Sequence, residues 1–194
     1  MIIITKMKSK EEELLDIIYN NPKHWRFEEL RSKAKIGKPQ LARWLKIFEK
    51  EGIIKRIKEE KKMPYYTQDY DNPKFRNRKK IFALKKLIDT GFIDHLSNLN
   101  AKVVAIFGSF SRSDWYEDSD IDVFIYGSDA DFDKGKFELK LNREIQVHKA
   151  KNTQELTKMK KLLPYVLSGE FIKGNIADMG IDIYFKTKNK RGNV

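Results

Sequence analysis

Residues 106 to 127 read IFGSFSRSDWYEDSDIDVFIYG, and their second half has the pattern of a buried β-strand that carries two aspartates. Asp120 and Asp122 flank Ile121 and precede Val123, Phe124, Ile125 and Tyr126. In such a setting an unpaired carboxylate is costly. Residues two apart in a strand project to one face, so the two carboxylates are expected to converge at one end of a sheet. They repel each other unless a cation lies between them, and hard oxygen donors select Mg²⁺ or Mn²⁺ over zinc. Upstream, VVAIFGS reads as a buried strand that turns at Gly108-Ser109. Glycine lets the backbone approach a ligand closely, and the N–H groups opening the next helical turn can hold phosphate oxygens. The Ser109 hydroxyl and the Arg112 guanidinium add donors. A phosphate cradle beside two metal-binding aspartates suits nucleotidyl transfer, in which metal ions neutralise a triphosphate, activate a hydroxyl and stabilise leaving pyrophosphate.

Those side chains need a scaffold, and a chain of 194 residues with 40% apolar content can bury one medium core or two small ones. There is no cysteine, which excludes disulfides and thiolate metal sites. His24, His95 and His148 are well separated, so oxygen ligands are favoured for any metal. No run of 18 apolar residues occurs, and MIIITKMKSKEEE is too short in apolar content for a signal peptide or span, so a cytoplasmic protein without membrane contact is expected. The net charge of +12 is uneven: residues 1–90 hold 24 Lys and Arg against 13 Asp and Glu, and residues 91–194 hold 16 against 15. A basic first half points to nucleic acid; the plain alternative is a lysine-rich solvated surface.

The first half reads as three helices and a hairpin. KEEELLDIIY places Leu14, Leu15, Ile17 and Ile18 on one side, RFEELRSKAK is a short second helix, and PQLARWLKIFEKEG sets Leu41, Leu45 and Phe48 on one stripe before Gly52. IIKRIKEEKKMPYYTQ reads as strand, charged turn and strand with Lys61-Lys62 at the tip. DNPKFRNRKKIFALKKLIDTGFIDHLSNL then predicts two connecting helices interrupted at Gly91. KFELKL is expected to be a strand, Asn142-Arg143 a turn, NREIQVHKA a further strand, and NTQELTKMKKLLPYVLSGEFIKGN helices that cover the sheet. A last strand is expected over IADMGIDIYFK, with Asp182 structural or exposed. The expected division is residues 1–70, connecting helices 71–99, and residues 100–194, with the domain boundary within 68–80.

The order of three helices and a hairpin, with LARWLKIFEKEGIIKR at its centre, resembles a winged helix-turn-helix. That resemblance implies double-stranded DNA contact by Gln40, Arg43 and Lys46, with Pro39 and Lys50 on the same outward face, and by Lys58, Lys61 and Lys62 on or beside the wing. Winged helices also mediate dimerisation or bind proteins, so a homodimer stays open. GSFSR…DSDID is similar to the Gly-Ser and Asp-x-Asp motif of the DNA polymerase β-like nucleotidyltransferase superfamily, and most to minimal nucleotidyltransferases of the archaeal type with an N-terminal winged helix. The implied architecture is α+β: a winged helix followed by a small mixed sheet flanked by helices. The implied site is Asp120 and Asp122 as metal ligands and catalytic residues, with Gly108, Ser109, Arg112 and Ser119 at the nucleotide.

The superfamily places a third acid on a later strand, and aligned by pattern that position falls on Gln146, an amide. Three readings stay open: Glu144 reaches the metal, two aspartates suffice, or the site binds nucleotide without efficient transfer; Glu138 is a distant further option. The leading expectation is a transferase that moves AMP from ATP to a macromolecular hydroxyl with Mg²⁺ or Mn²⁺. By resemblance it acts as an antitoxin on a HEPN-type partner toxin. The alternative is a DNA-binding regulator whose nucleotidyltransferase-like domain is degenerate and serves as sensor or partner-binding module.

Overall fold

The computed structural model describes residues 9–181. Helix α1 (Lys10–Asn20) starts where the Ser9 hydroxyl accepts from the Glu12 N–H and the Glu12 carboxylate accepts from the Ser9 N–H. This capping box, with Glu11 and Glu13 beside it, complements the helix dipole. Helices α2 (Phe27–Ala34) and α3 (Lys38–Lys50) follow, α3 burying Leu41, Leu45 and Phe48 at helical spacing. Strands β1 (Ile54–Ile57) and β2 (Tyr65–Gln68) pair antiparallel as the expected hairpin, with Lys61 in the left-handed region at the tip. Trp25 adds one bridge to Tyr66 on the far side of β2, a pairing no local pattern announces.

Helices α4 (Pro73–Asp89) and α5 (Phe92–Ser97) lead into the second sheet. Its strands are β3 (Ala101–Phe107), β4 (Ile121–Gly127), β5 (Ile145–Ala150) and β6 (Glu170–Lys173), in the spatial order β5-β4-β3-β6. β3 runs antiparallel to β4 and β6, while β4 and β5 are parallel. Helix α6 (Ser109–Arg112) lies between β3 and β4, α7 (Lys134–Leu141) between β4 and β5, and α8 (Thr153–Lys158) and α9 (Leu163–Leu167) before β6. The result is an α+β chain with a small mixed sheet and flanking helices.

Strand alternation gives the sheet two apolar faces. Val104, Ile106, Ile121, Val123 and Ile125 join Leu14, Leu41, Phe75 and Leu87 in a core that runs without a break from α1 to the sheet. Val103, Ala105, Phe107, Phe124 and Tyr126 pack on the other side against Leu156, Val166 and Met179.

Two elements differ from the sequence pattern. KFELKL is helical, not a strand: Phe137 and Leu141, four apart, are buried, while Leu139 between them is 86% exposed. Parallel β4 and β5 require a crossover, which α7 provides; its start is capped by Asp133 and its end by Asn142 in the left-handed conformation. EFIK, read as part of the covering helices, is strand β6 on the free edge of β3. The segment Ile176–Met179 forms a 3-10 turn capped by Asn175. Asp182 and the rest of the expected last strand lie outside the described residues.

Candidate functional site

β3 ends at Phe107, opposite Asp122 of β4, and the next residue is Gly108. Gly108 has φ +72 and ψ −144, a conformation that L side chains rarely adopt, and a Cβ there would overlap the Asp122 carboxylate. The backbone therefore passes directly over the carboxylate. Ser109 follows, and its Oγ is buried without a hydrogen-bond partner among the described residues. An orphaned buried hydroxyl beside a bare glycine is a place with unmet hydrogen-bonding capacity.

Asp122 is partly buried, and burial first, then the charge of Asp120, holds its carboxyl above the ordinary carboxylate range. His148 and Arg112 act in the opposite sense. His148 Nε2 lies 3.3 Å from Asp122 Oδ1, and its ring packs 5.2 Å from that of Phe107. In the parallel register, Gln146 stands beside Asp122 and is exposed. Glu144 is exposed one residue before β5; its carbonyl accepts from the Ile121 N–H at 2.9 Å. Glu138 is engaged elsewhere, accepting from the Ile145 N–H at 2.9 Å.

Among the described residues no group of three or more His, Cys, Asp or Glu side chains is placed to hold a metal ion. The two aspartates thus do not form an all-protein cage. Carboxylate oxygens are hard donors, of the kind that hold Mg²⁺ together with oxygens from outside the protein.

Arg112, at the end of α6, donates from Nε to Asp114 Oδ2 at 3.0 Å. The Ser119 hydroxyl accepts from the Tyr116 N–H at 2.8 Å and closes the loop before Asp120. Trp115 in that loop stacks on Phe110 of α6 at 5.3 Å, and its carbonyl accepts from Lys79 Nζ at 2.5 Å. Lys79 is fully buried, and desolvation pushes its ammonium down to about 7, with Asp114 opposing and Arg143 assisting. The rings of Trp115, Tyr116 and Phe75, at 4.5, 5.0 and 5.8 Å, favour the charged form.

On the N-terminal unit, Gln40, Arg43, Lys46 and Lys50 are exposed on α3, and none of their side chains has a hydrogen bond or ion pair among the described residues. Lys58 and Lys61 are likewise exposed and unpaired there, while Lys62 pairs with Glu59 at 2.5 Å. An open groove lined by Ile47, Lys50, Glu51, Lys74, Asn77 and Arg78 continues this basic surface from α3 onto α4. Among the described residues, no hydrogen bond or ion pair joins the basic face of α3 to the carboxylates.

His148 and Lys79 were not assigned roles by sequence reasoning. His148 shares the alternation of Gln146, which is the one local signal it gives; Lys79 sits in a run of basic residues, and its signal is its place four residues from both Phe75 and Ala83 on the buried stripe of α4.

Residues 92–188, half of the chain, match the family model described as Polymerase beta, Nucleotidyltransferase. No curated protein and no solved structure matches the chain. No helix among the described residues is long and apolar enough to cross a membrane.

Proposed function

Because this chain belongs to the polymerase β nucleotidyltransferase family, we propose that it transfers a nucleoside monophosphate, AMP from ATP, to a hydroxyl of a macromolecule. The observation that carries the reading is the seat of Gly108 against the Asp122 carboxylate, with the buried, unpartnered Ser109 hydroxyl next in the chain and the charge of Asp120 acting on the same carboxylate. Asp120 and Asp122 would hold Mg²⁺ or Mn²⁺, which when bound supplies charge neutralisation for the triphosphate and a more acidic attacking hydroxyl. Gly108 lets the Asp122 carboxylate lie against the backbone, and the Ser109 hydroxyl donates to an oxygen of the nucleotide phosphates. The acceptor hydroxyl gives its proton to solvent, its oxygen bonds to the α-phosphorus, and the α–β anhydride bond breaks as pyrophosphate leaves. Gln146 can orient the acceptor but takes no proton, so turnover is slow.

The N-terminal unit is read as a winged helix-turn-helix that binds double-stranded DNA through Gln40, Arg43 and Lys46 on α3 and Lys58, Lys61 and Lys62 on the hairpin. The cations of α3 whose side chains have no partner among the described residues, and the groove continuing to Lys74, support that reading; Arg78 in the same groove is paired with Glu51. By family resemblance, a HEPN-type toxin is the proposed macromolecular acceptor. The second reading is a DNA-binding regulator with a degenerate transferase site, favoured by the amide beside Asp122 and the missing third carboxylate among the described residues.

The test is incubation with Mn²⁺ and ATP labelled at the α- or the γ-phosphate, in extracts that contain the partners of the chain. Label transferred from the α-position alone, and lost with Asp120→Asn, supports nucleotidyl transfer. Retention of neither label, with nucleotide binding intact, favours the regulator.

A further inference from the structure

Asp120 ends the loop of residues 113–120 between α6 and β4, so its position is only as fixed as that loop. Arg143, in the turn between α7 and β5, reaches beneath it. Its Nη1 donates to the carbonyls of Tyr116 at 2.6 Å, Glu117 at 2.9 Å and Ser119 at 2.7 Å. Its guanidinium lies 5.2 Å from the ring of Phe110 and 5.3 Å from that of Trp115. Its Nη2 donates to Asn20 Oδ1 at 2.6 Å.

Asn20 is the last residue of α1, and it is itself fixed. Its amide nitrogen donates to Asp16 O at 2.8 Å, which turns the amide oxygen toward Arg143, and its carbonyl accepts from the Glu117 N–H at 3.0 Å. One guanidinium thus ties the α7–β5 turn, the aspartate loop and the end of α1 together. All four of these acceptors are neutral oxygens, so the arrangement serves to shape backbone rather than to pair charges. Lysine cannot replace it, because a single ammonium lacks the planar fork that spans several carbonyls and an amide at once.

We propose that Arg143 is a positioning residue for the nucleotide site: it holds the 113–120 loop so that Asp120 faces Asp122, and Asn20 makes the first helix part of that support. The proposal rests on the nucleotide-site reading above. Its role goes through Asp120, which gives a readout that general destabilisation does not share.

Calorimetric titration of Mn²⁺ with α,β-methylene-ATP into the wild type, Arg143→Ala, Asp120→Asn and the double variant tests it. Arg143→Ala should weaken binding about 10–100-fold, as loss of a partner that orients a metal ligand does, and Arg143→Lys should not restore it. Asp120→Asn should add little in the Arg143→Ala background, because the carboxylate it removes is already displaced. Additive losses, or unchanged affinity in Arg143→Ala, overturn the proposal. Should Arg143→Ala lack the far-ultraviolet circular dichroism of the wild type, Asn20→Ala removes one acceptor, leaves the guanidinium in place and is read by the same criterion. If Asn20→Ala is folded and its loss adds fully to that of Asp120→Asn, the positioning role is likewise rejected. Absence of binding in the wild type itself contradicts the nucleotide-site reading and removes the positioning role with it, so the two failures are distinguishable.

Discussion

The parallel neighbour of Asp122 is Gln146, an amide where the proposed transfer would call for a base. If this amide limits turnover, Gln146→Asp should raise α-label transfer by up to about 10²–10⁴-fold, the usual contribution of a positioned base. Glu144→Gln should leave the rate nearly unchanged, because that side chain is exposed and engaged with nothing in the site. Loss of labelling in Glu144→Gln alone would move the third acid to Glu144. Gly108, Ser109, Asp120 and Asp122 were legible in the sequence because each breaks a local rule: a glycine and a serine at a strand end, and carboxylates in an apolar run. His148 and Arg143 break none. What makes them notable is the β4–β5 register and a reach of 123 residues to Asn20, and neither is written in neighbouring residues.

Helix α4 acts on the aspartate loop through Lys79, and its burial has a pH signature. Between pH 7 and 10.5 the unfolded chain keeps a proton on this lysine that the folded chain has shed, so stability rises with pH, by at most about 1.4 kcal/mol per unit. Below pH 7 both states are protonated and the cost is constant. Chemical denaturation of Lys79→Met and the wild type should therefore show a stability difference that shifts toward the wild type as pH climbs from 7 to 10; a constant difference would contradict this. The elements themselves were mostly legible, since the N-terminal helices carry clear 3.6-residue stripes. KFELKL was not, because Phe137, Leu139 and Leu141 also fit a two-residue period and only the parallel crossover decides between them. EFIK escaped notice because four residues are too few to show alternation. Helix α3 and the hairpin differ in their proposed roles on DNA: alanine at Lys58, Lys61 and Lys62 should weaken binding to all duplexes and flatten the salt dependence by a slope of about 0.9 for each phosphate no longer neutralised. Arg43→Ala should instead narrow the gap between a preferred site and random duplex by roughly 1–3 kcal/mol. Gel-shift titrations at two salt concentrations separate these outcomes, and an equal effect in both variants would remove the division of labour.

Across the whole molecule, the basic N-terminal unit and the sheet share one uninterrupted apolar core, from Leu14 to Ile145. Heat should therefore unfold the chain in a single calorimetric transition with matching calorimetric and van't Hoff enthalpies, whereas two separate peaks would show independent units. The central claim concerns the point where that core gives way to charge. On the proposed reading a cation and a triphosphate would complete the site around Asp120 and Asp122, so removal of the two carboxylates should abolish ligand binding without harming the fold. The most direct measurement is an equilibrium titration of ATP, with and without Mn²⁺, into the wild type and the Asp120→Asn/Asp122→Asn variant. The prediction is saturable, Mn²⁺-dependent binding in the wild type and none in the variant, whose thermal midpoint is unchanged or higher because like-charge repulsion is gone. Equal binding by the two proteins, or wild-type binding indifferent to Mn²⁺, would contradict it.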